Sequence, residues 1–201
     1  MHIVLTDILT CPRCGPGFGL ILLADRIMER RVDAGVLGCS NCREQYPIRD
    51  GAVDFVGAAG SGGEEAEDRA ADPRLAPLLG VTHGPAFVLL AGPARTQAGA
   101  LAAMLEDVEV VTVASERTPA RPGVNPLITG PQRLPVADMK VAGVALTGAA
   151  ADALLEEGAR VVSAVGRLVL DPAPHDAAER LARLGLRIAA QQDGVAVAVR
   201  C

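Results

Sequence analysis

From Ala86 onward, apolar runs too short to cross a membrane alternate with segments of helical period. AFVLLAG (86–92) predicts a buried strand, QAGALAAMLED (97–107) a helix and VEVVTVASE (108–116) the next strand. VAGVALTG (141–148) predicts a third strand, AADALLEEGARVVSA (150–164) a helix, RLVLDP (167–172) a fourth strand and HDAAERLARLG (175–185) a helix ending at Gly185. The chain then closes as a hairpin, LRIAA and VAVAVR around a turn near Asp193-Gly194. Strand and helix in alternation imply a mostly parallel sheet flanked by helices. The first 56 residues read differently: GLILLADRIMERRVDAGVLGC predicts two short strands with a polar connection near Asp25 to Arg31.

Between these regions GAAGSGGEEAEDRAADPR (57–74) is rich in Gly, Ala and acids, and such a stretch buries too little apolar surface to pack. LAPLLGVT (75–82) reads as a short helical turn. The expected organisation is a small β-rich domain at 1–56, a flexible linker at 57–85 and an α/β domain at 86–201.

Composition sharpens this picture. Half the residues are hydrophobic but only 2% are aromatic, so the core must be built from Ala, Val and Leu. The net charge of −5 argues against broad nucleic-acid binding, and Arg26, Arg30 and Arg31 read as a solvated group on a polar hairpin. The N-terminus lacks the pattern of a secretory signal, and charged residues, Gly or Pro interrupt every apolar run before the ~18 residues that a spanning helix needs. A cytoplasmic protein with no membrane partner is expected. In a reducing compartment, paired CxxC motifs point to metal rather than disulfides.

Cys11-x2-Cys14 and Cys39-x2-Cys42 are separated by 24 residues. A CxxC turn lets two thiolates converge on one ion, and four thiolates complete a tetrahedron about 2.3 Å from Zn²⁺. No position is left for water, so the predicted zinc site is structural. Pro12 and Gly15 at the first pair, and Asn41 within the second, suit the tight turns of zinc knuckles. The competing readings are a redox CxxC, which would not need a second pair, and unliganded buried cysteines. Cys201 is left as a free thiol without a role.

LTDILTCPRCG together with GCSNCREQYPIRDGAVDFV resembles the multifunctional methyltransferase subunit family, small zinc-ribbon activators of tRNA, rRNA and release-factor methyltransferases. The resemblance spans about residues 3–56 and includes both knuckles and Tyr46-Pro47-Ile48-Arg49-Asp50-Gly51, with its turn at Asp50-Gly51. It implies a binding module that docks on a methyltransferase, shields apolar surface and carries no catalytic residues.

About residues 86–200 are similar, in the order and spacing of their elements, to class I S-adenosylmethionine-dependent methyltransferases, whose Rossmann-like sheet ends in an antiparallel hairpin. The likeness includes Arg133-Leu134-Pro135-Val136-Ala137-Asp138 before strand VAGVALTG, and ARVVSAVGRLVLDP (159–172). It implies a glycine-rich turn after the first strand, where backbone must approach the cofactor. That turn is Ala91-Gly92-Pro93-Ala94-Arg95-Thr96: only Gly92 matches, Ala94 and Thr96 replace later glycines, and Leu90 replaces an acid. Glu116 can stand where the family binds the ribose hydroxyls, but Gly130, followed by Pro131, stands where many relatives place an Asp near the adenine.

The remaining polar residues form no acid/base or nucleophile pair. His2, His83 and His175 are scattered, and Asp152, Glu156 and Glu157 read as the wet face of a helix. No catalytic or S-adenosylmethionine-binding residue is therefore assigned, and the only predicted ligand is structural Zn²⁺ at Cys11, Cys14, Cys39 and Cys42. The expected protein is a methyltransferase-activator ribbon fused to a methyltransferase-like pseudo-enzyme, with a protein partner: a separate methyltransferase, or its own second domain bound in cis. The alternative is a divergent methyltransferase in which Gly92 and Glu116 still bind the cofactor.

Overall fold

The structure, a computed structural model, describes residues 1–57, 70, 72–116, 120–130 and 133–201. The acid-rich part of the expected linker, and Pro131, lie outside the described residues. The ribbon contains strands β1 (Leu20–Met28), β2 (Arg31–Cys39), β3 (Gln45–Arg49) and β4 (Ala52–Asp54). The chain continues through α1 (Leu75–Leu79), β5 (His83–Ala91), α2 (Ala98–Met104), β6 (Glu106–Ala114), β7 (Val124–Ile128), β8 (Val141–Thr147), α3 (Ala150–Ala153), α4 (Leu155–Val161) and β9 (Val162–Asp171). It ends with α5 (Ala177–Arg183), β10 (Leu186–Gln192) and β11 (Val195–Arg200).

These strands form one mixed sheet in the order β1-β2-β3-β4-β7-β6-β5-β8-β9-β11-β10. The neighbours from β4 through β7, β6, β5 and β8 to β9 are parallel, whereas β11 runs antiparallel to both β9 and β10. Strand β5 explains why the central runs are continuously apolar. Val88 and Leu90 face a core with Leu75, Leu79 and Leu101, while Leu89 faces the other core with Leu146, Leu155 and Leu181. A parallel strand covered on both faces has no polar side to alternate with.

The turns follow the sequence closely. Asp50-Gly51 and Asp193-Gly194 take positive φ, as two-residue hairpin turns require. The β1–β2 connection differs from expectation: the strands run on through Asp25 and Arg26, and the turn is only Glu29-Arg30, both at positive φ. The helix expected at 150–164 is divided at Leu154 and stops at Val161, because Val162 already begins β9. Residues 75–79, read as a helical turn within the linker, form α1 and bury Leu75 and Leu79. Strand β7 has no counterpart among the expected elements. Its Pro126 argues against a strand in sequence, but β4 pairs only with Leu127 and Ile128 on the outer side.

The ribbon and the α/β portion meet along β4 and β7, with Val53 opposite Leu127 and Asp54 opposite Ile128, and the Phe55 amide donates to the Ile128 carbonyl at 2.9 Å. A second seam lies beside the first cysteine pair. Thr10 N–H donates to Pro135 O at 3.0 Å, Ala137 N–H to Ile8 O at 2.8 Å, and the Arg133 guanidinium to Pro12 O at 3.1 Å. A third contact is polar. The Arg31 guanidinium reaches both Glu109 carboxylate oxygens at 2.8 and 2.9 Å, Asn125 Nδ2 donates to the same carboxylate at 2.8 Å, and His2 N–H donates to Asn125 Oδ1 at 2.6 Å. Arg31 is therefore no solvated bystander, in contrast to Arg26, which pairs at the surface with Asp33. One core cluster spans the seam, with Leu5, Leu37, Ile48 and Val53 from the ribbon beside Leu127, Val136 and Leu146.

Candidate metal centre

The two cysteine pairs come together because the ribbon strands return them to one place. Cys39 ends β2 and Cys42 follows in the turn to β3, while Cys11 and Cys14 lie in the loop before β1. Their four sulfurs lie within 4.8 Å of one another. Cys11 Sγ is 3.7 Å from Cys42 Sγ, and Cys39 Sγ is 3.8 Å from Cys14 Sγ. Sulfurs at the corners of a tetrahedron with bonds of about 2.3 Å are separated by about 3.8 Å, so these spacings fit a four-coordinate zinc. Cys11 and Cys39 are buried, and Cys14 and Cys42 are half-buried.

Donors around the sulfurs favour thiolates. The Cys14 amide faces Cys11 Sγ at 3.4 Å, and Asn41 Nδ2 faces Cys14 Sγ at 3.3 Å. The backbone amide of Cys42, aided by that of Asn41, lowers the Cys39 thiol to about 7. The Glu44 amide also lowers Cys42, but burial and the three neighbouring sulfurs push that thiol up to about 12. A cluster that cannot place four negative sulfurs together unaided is one that a divalent cation would stabilise. The Tyr46 hydroxyl lies 3.2 Å from Cys11 Sγ, and its ring packs on Phe55 with centroids 5.0 Å apart. Burial, then Cys11, pushes the Tyr46 phenol upward. Tyr46 thus links the cysteine cluster to the end of β4, a connection that the spacing of cysteines could not reveal. Cys201 is exposed and far in sequence from the cluster.

The second place of interest is the crevice where the sheet changes direction. From β5 the chain adds β6 and β7 on one side, then β8 and β9 on the other, and ligands in open α/β sheets bind at the strand C-termini of such a switch point. Here the loop after β5 is bonded to the end of β8. Gly92 has φ +74°, and a Cβ at that position would run into the Thr147 carbonyl. The Thr147 hydroxyl accepts from the Ala94 amide at 2.8 Å and donates to Ala91 O at 3.0 Å, tying the loop after β5 to the end of β8. The Arg95 guanidinium engages the Glu116 carboxylate. Beside this latch, a cavity of about 150 Å³ is lined in part by Pro93, Ala94, Thr147 and Asp171. That is below the range usual for small-molecule sites, roughly 300–1,000 Å³. Gly130 follows β7, where it offers no side-chain ligand.

Of the three histidines, His2 lies at the ribbon seam and His83 hydrogen-bonds Thr82. The acidic helix residues divide. Asp152 and Glu156 pair with Arg180, as a surface group would. Glu157 differs: its carboxylate accepts the Leu134 amide at 2.8 Å and pairs with Arg160, whose guanidinium also holds Leu134 O at 2.9 Å, Val136 O at 2.7 Å and Asp138 at 2.8 Å. This cluster fixes the very segment on which the first cysteine loop rests. Among the described residues no helix is long and apolar enough to cross a membrane.

No curated protein and no solved structure matches the chain. A protein-family model described as Trm112p-like protein matches residues 4–51, a stretch that contains all four clustered cysteines, so the N-terminal segment is similar to a zinc-ribbon activator family.

Proposed function

We propose that the chain is a zinc-binding, methyltransferase-activator-like protein whose ribbon (1–56) is joined by a linker (57–85) to its own methyltransferase-like, Rossmann-like domain (86–201). In this reading Cys11, Cys14, Cys39 and Cys42 hold a structural Zn²⁺, the second domain has lost catalysis, and the protein works as a binding or scaffold partner. The observation that carries the reading is the parallel pairing of β4 with β7. Activators of the resembled family dock on a separate methyltransferase, whereas here the ribbon's strand completes a sheet within the same chain. A parallel core closed by the antiparallel β10–β11 hairpin supports the methyltransferase-like assignment.

Loss of cofactor binding is supported by the latch at the switch point. Thr147 fills the crevice from one side, Pro93 and Ala94 replace open backbone on the other, and Arg95 neutralises the carboxylate that would receive the ribose hydroxyls. The alternative, a divergent S-adenosylmethionine-dependent methyltransferase, rests on Gly92 and Glu116, which keep their places after β5 and β6.

Calorimetric titration of the zinc-loaded full-length protein with S-adenosylmethionine separates the two. The expected result is no binding up to millimolar cofactor, with one zinc per chain. Saturable micromolar binding that disappears in Glu116→Ala would establish the enzyme instead.

A further inference from the structure

We propose that the open face of β9, β11 and β10 beside α1 binds a small amphipathic anion, an aliphatic chain that ends in a carboxylate or a phosphate. Strand β11 pairs with β9 on one side and β10 on the other, and its Val199 lies opposite both Arg167 and Arg187. Cross-strand partners project from the same face, so the two arginines flank Val199 with their backbones two strand spacings, roughly 10 Å, apart. The next row is apolar. Val197 lies opposite Val169 and, because the β10 register slips between Ile188 and Ala190, opposite Ala190 as well. That slip returns Ala190 to the face that carries Arg187.

Helix α1 has five residues and packs on β8 and β9, so it walls this face without covering it. The result is a groove of about 700 Å³, floored by Val197, Val199 and Ala190 and bounded by Leu78 and by Arg74, Arg167 and Arg187. That volume lies within the roughly 300–1,000 Å³ of small-molecule sites, unlike the cavity beside Thr147. Charge decides what the groove takes. None of the residues that line it is acidic, although the chain carries 24 Asp and Glu against 19 Lys and Arg. Asp193 and Asp171 line neighbouring cavities, and Asp72 is paired with Arg74. Arg167 donates through Nη1 to Pro77 O at 3.0 Å, which holds it against α1 and leaves Nη2 for a ligand, and Arg187 has no partner among the described residues. A guanidinium fork matches the oxygens of a carboxylate or phosphate, and an aliphatic chain lying on Val197 and Ala190 releases water from apolar surface.

Calorimetric titration of the full-length protein with decanoate and with decyl phosphate tests this, with decanol and inorganic phosphate as controls. At least one of the two amphipathic anions should bind saturably at submillimolar concentration, and each control at least about tenfold more weakly. Arg187→Gln removes a charge that holds nothing else in the fold; it should weaken anion binding about tenfold or more and leave the circular dichroism spectrum unchanged. Ala190→Asp, which sets a carboxylate on the exposed floor of the groove, should weaken it as much. The proposal is overturned if neither anion binds saturably in the millimolar range, if either control binds as tightly as the anions, or if the affinity is unchanged in either variant.

Discussion

Among single residues, the cysteine cluster and the Thr147 latch have different consequences. The four sulfurs are the only part of the proposed zinc site that sequence spacing could identify, because a CxxC turn is local and its ligands are defined by residue type. Cys39→Ser is expected to release the metal and unfold the ribbon, since structural zinc contributes directly to folding free energy. Metal content and a thermal melt on the same sample test this; a fully metallated, unshifted variant would remove Cys39 from the site. The Thr147 hydroxyl is not legible in sequence, because its partners Ala91 and Ala94 lie more than fifty residues away and are joined to it only by the pairing of β5 with β8. Thr147→Val keeps the shape but leaves the Ala94 amide without its acceptor, at a cost of about 1–3 kcal/mol. A fall in the urea midpoint with an unchanged slope would register that loss.

Among the elements, the central strands that sequence predicts as continuous apolar runs are covered on both faces. AFVLLAG and VEVVTVASE have no polar interruptions within their apolar runs long enough to face solvent, and they form β5 and β6. Strand β7 escapes a sequence reading because Pro126 breaks the local signal, and its place in the sheet depends on β6 on one side and the ribbon on the other. The segment 133–138 shows the same limit. It is recognisable by resemblance, but its rigidity comes from Arg160 and Glu157, which sit on a helix read as solvent-facing. Arg160→Ala should cost about 2–3 kcal/mol, from the loss of charge-assisted hydrogen bonds that leaves Glu157 and two carbonyls without that donor. Faster amide exchange at Thr10 and Ala137, whose acceptor and donor groups belong to this seam, would distinguish that role from a general loss of helix stability.

In the molecule as a whole, the ribbon is part of the core rather than an appendage. Val53, Leu37 and Ile48 share one apolar cluster with Leu127 and Leu146, and β4 covers the edge of β7. Removing residues 1–56 would expose that edge and the apolar surface behind it, so the remaining fragment is expected to aggregate. A soluble fragment that melts cooperatively at the temperature of the intact chain would show that the ribbon contributes nothing to the stability of the α/β portion. The full-length chain should unfold in one transition, as a shared core dictates.

Local chemistry along the chain is enough to establish the two kinds of structure, the order of most elements, the hairpin turns at Asp50-Gly51 and Asp193-Gly194, and the cysteines able to hold a metal. Periodicity, turn conformation and ligand type each act over a few neighbouring residues. Folding in three dimensions sets the rest: the ribbon pairs with its own chain's sheet, Thr147 ties the loop after β5 to the end of β8, Arg95 pairs with Glu116, and Glu157 supports the ribbon seam. Those outcomes depend on residues far apart in the chain, whose meeting is set by strand order and by the apolar surface that each strand must cover.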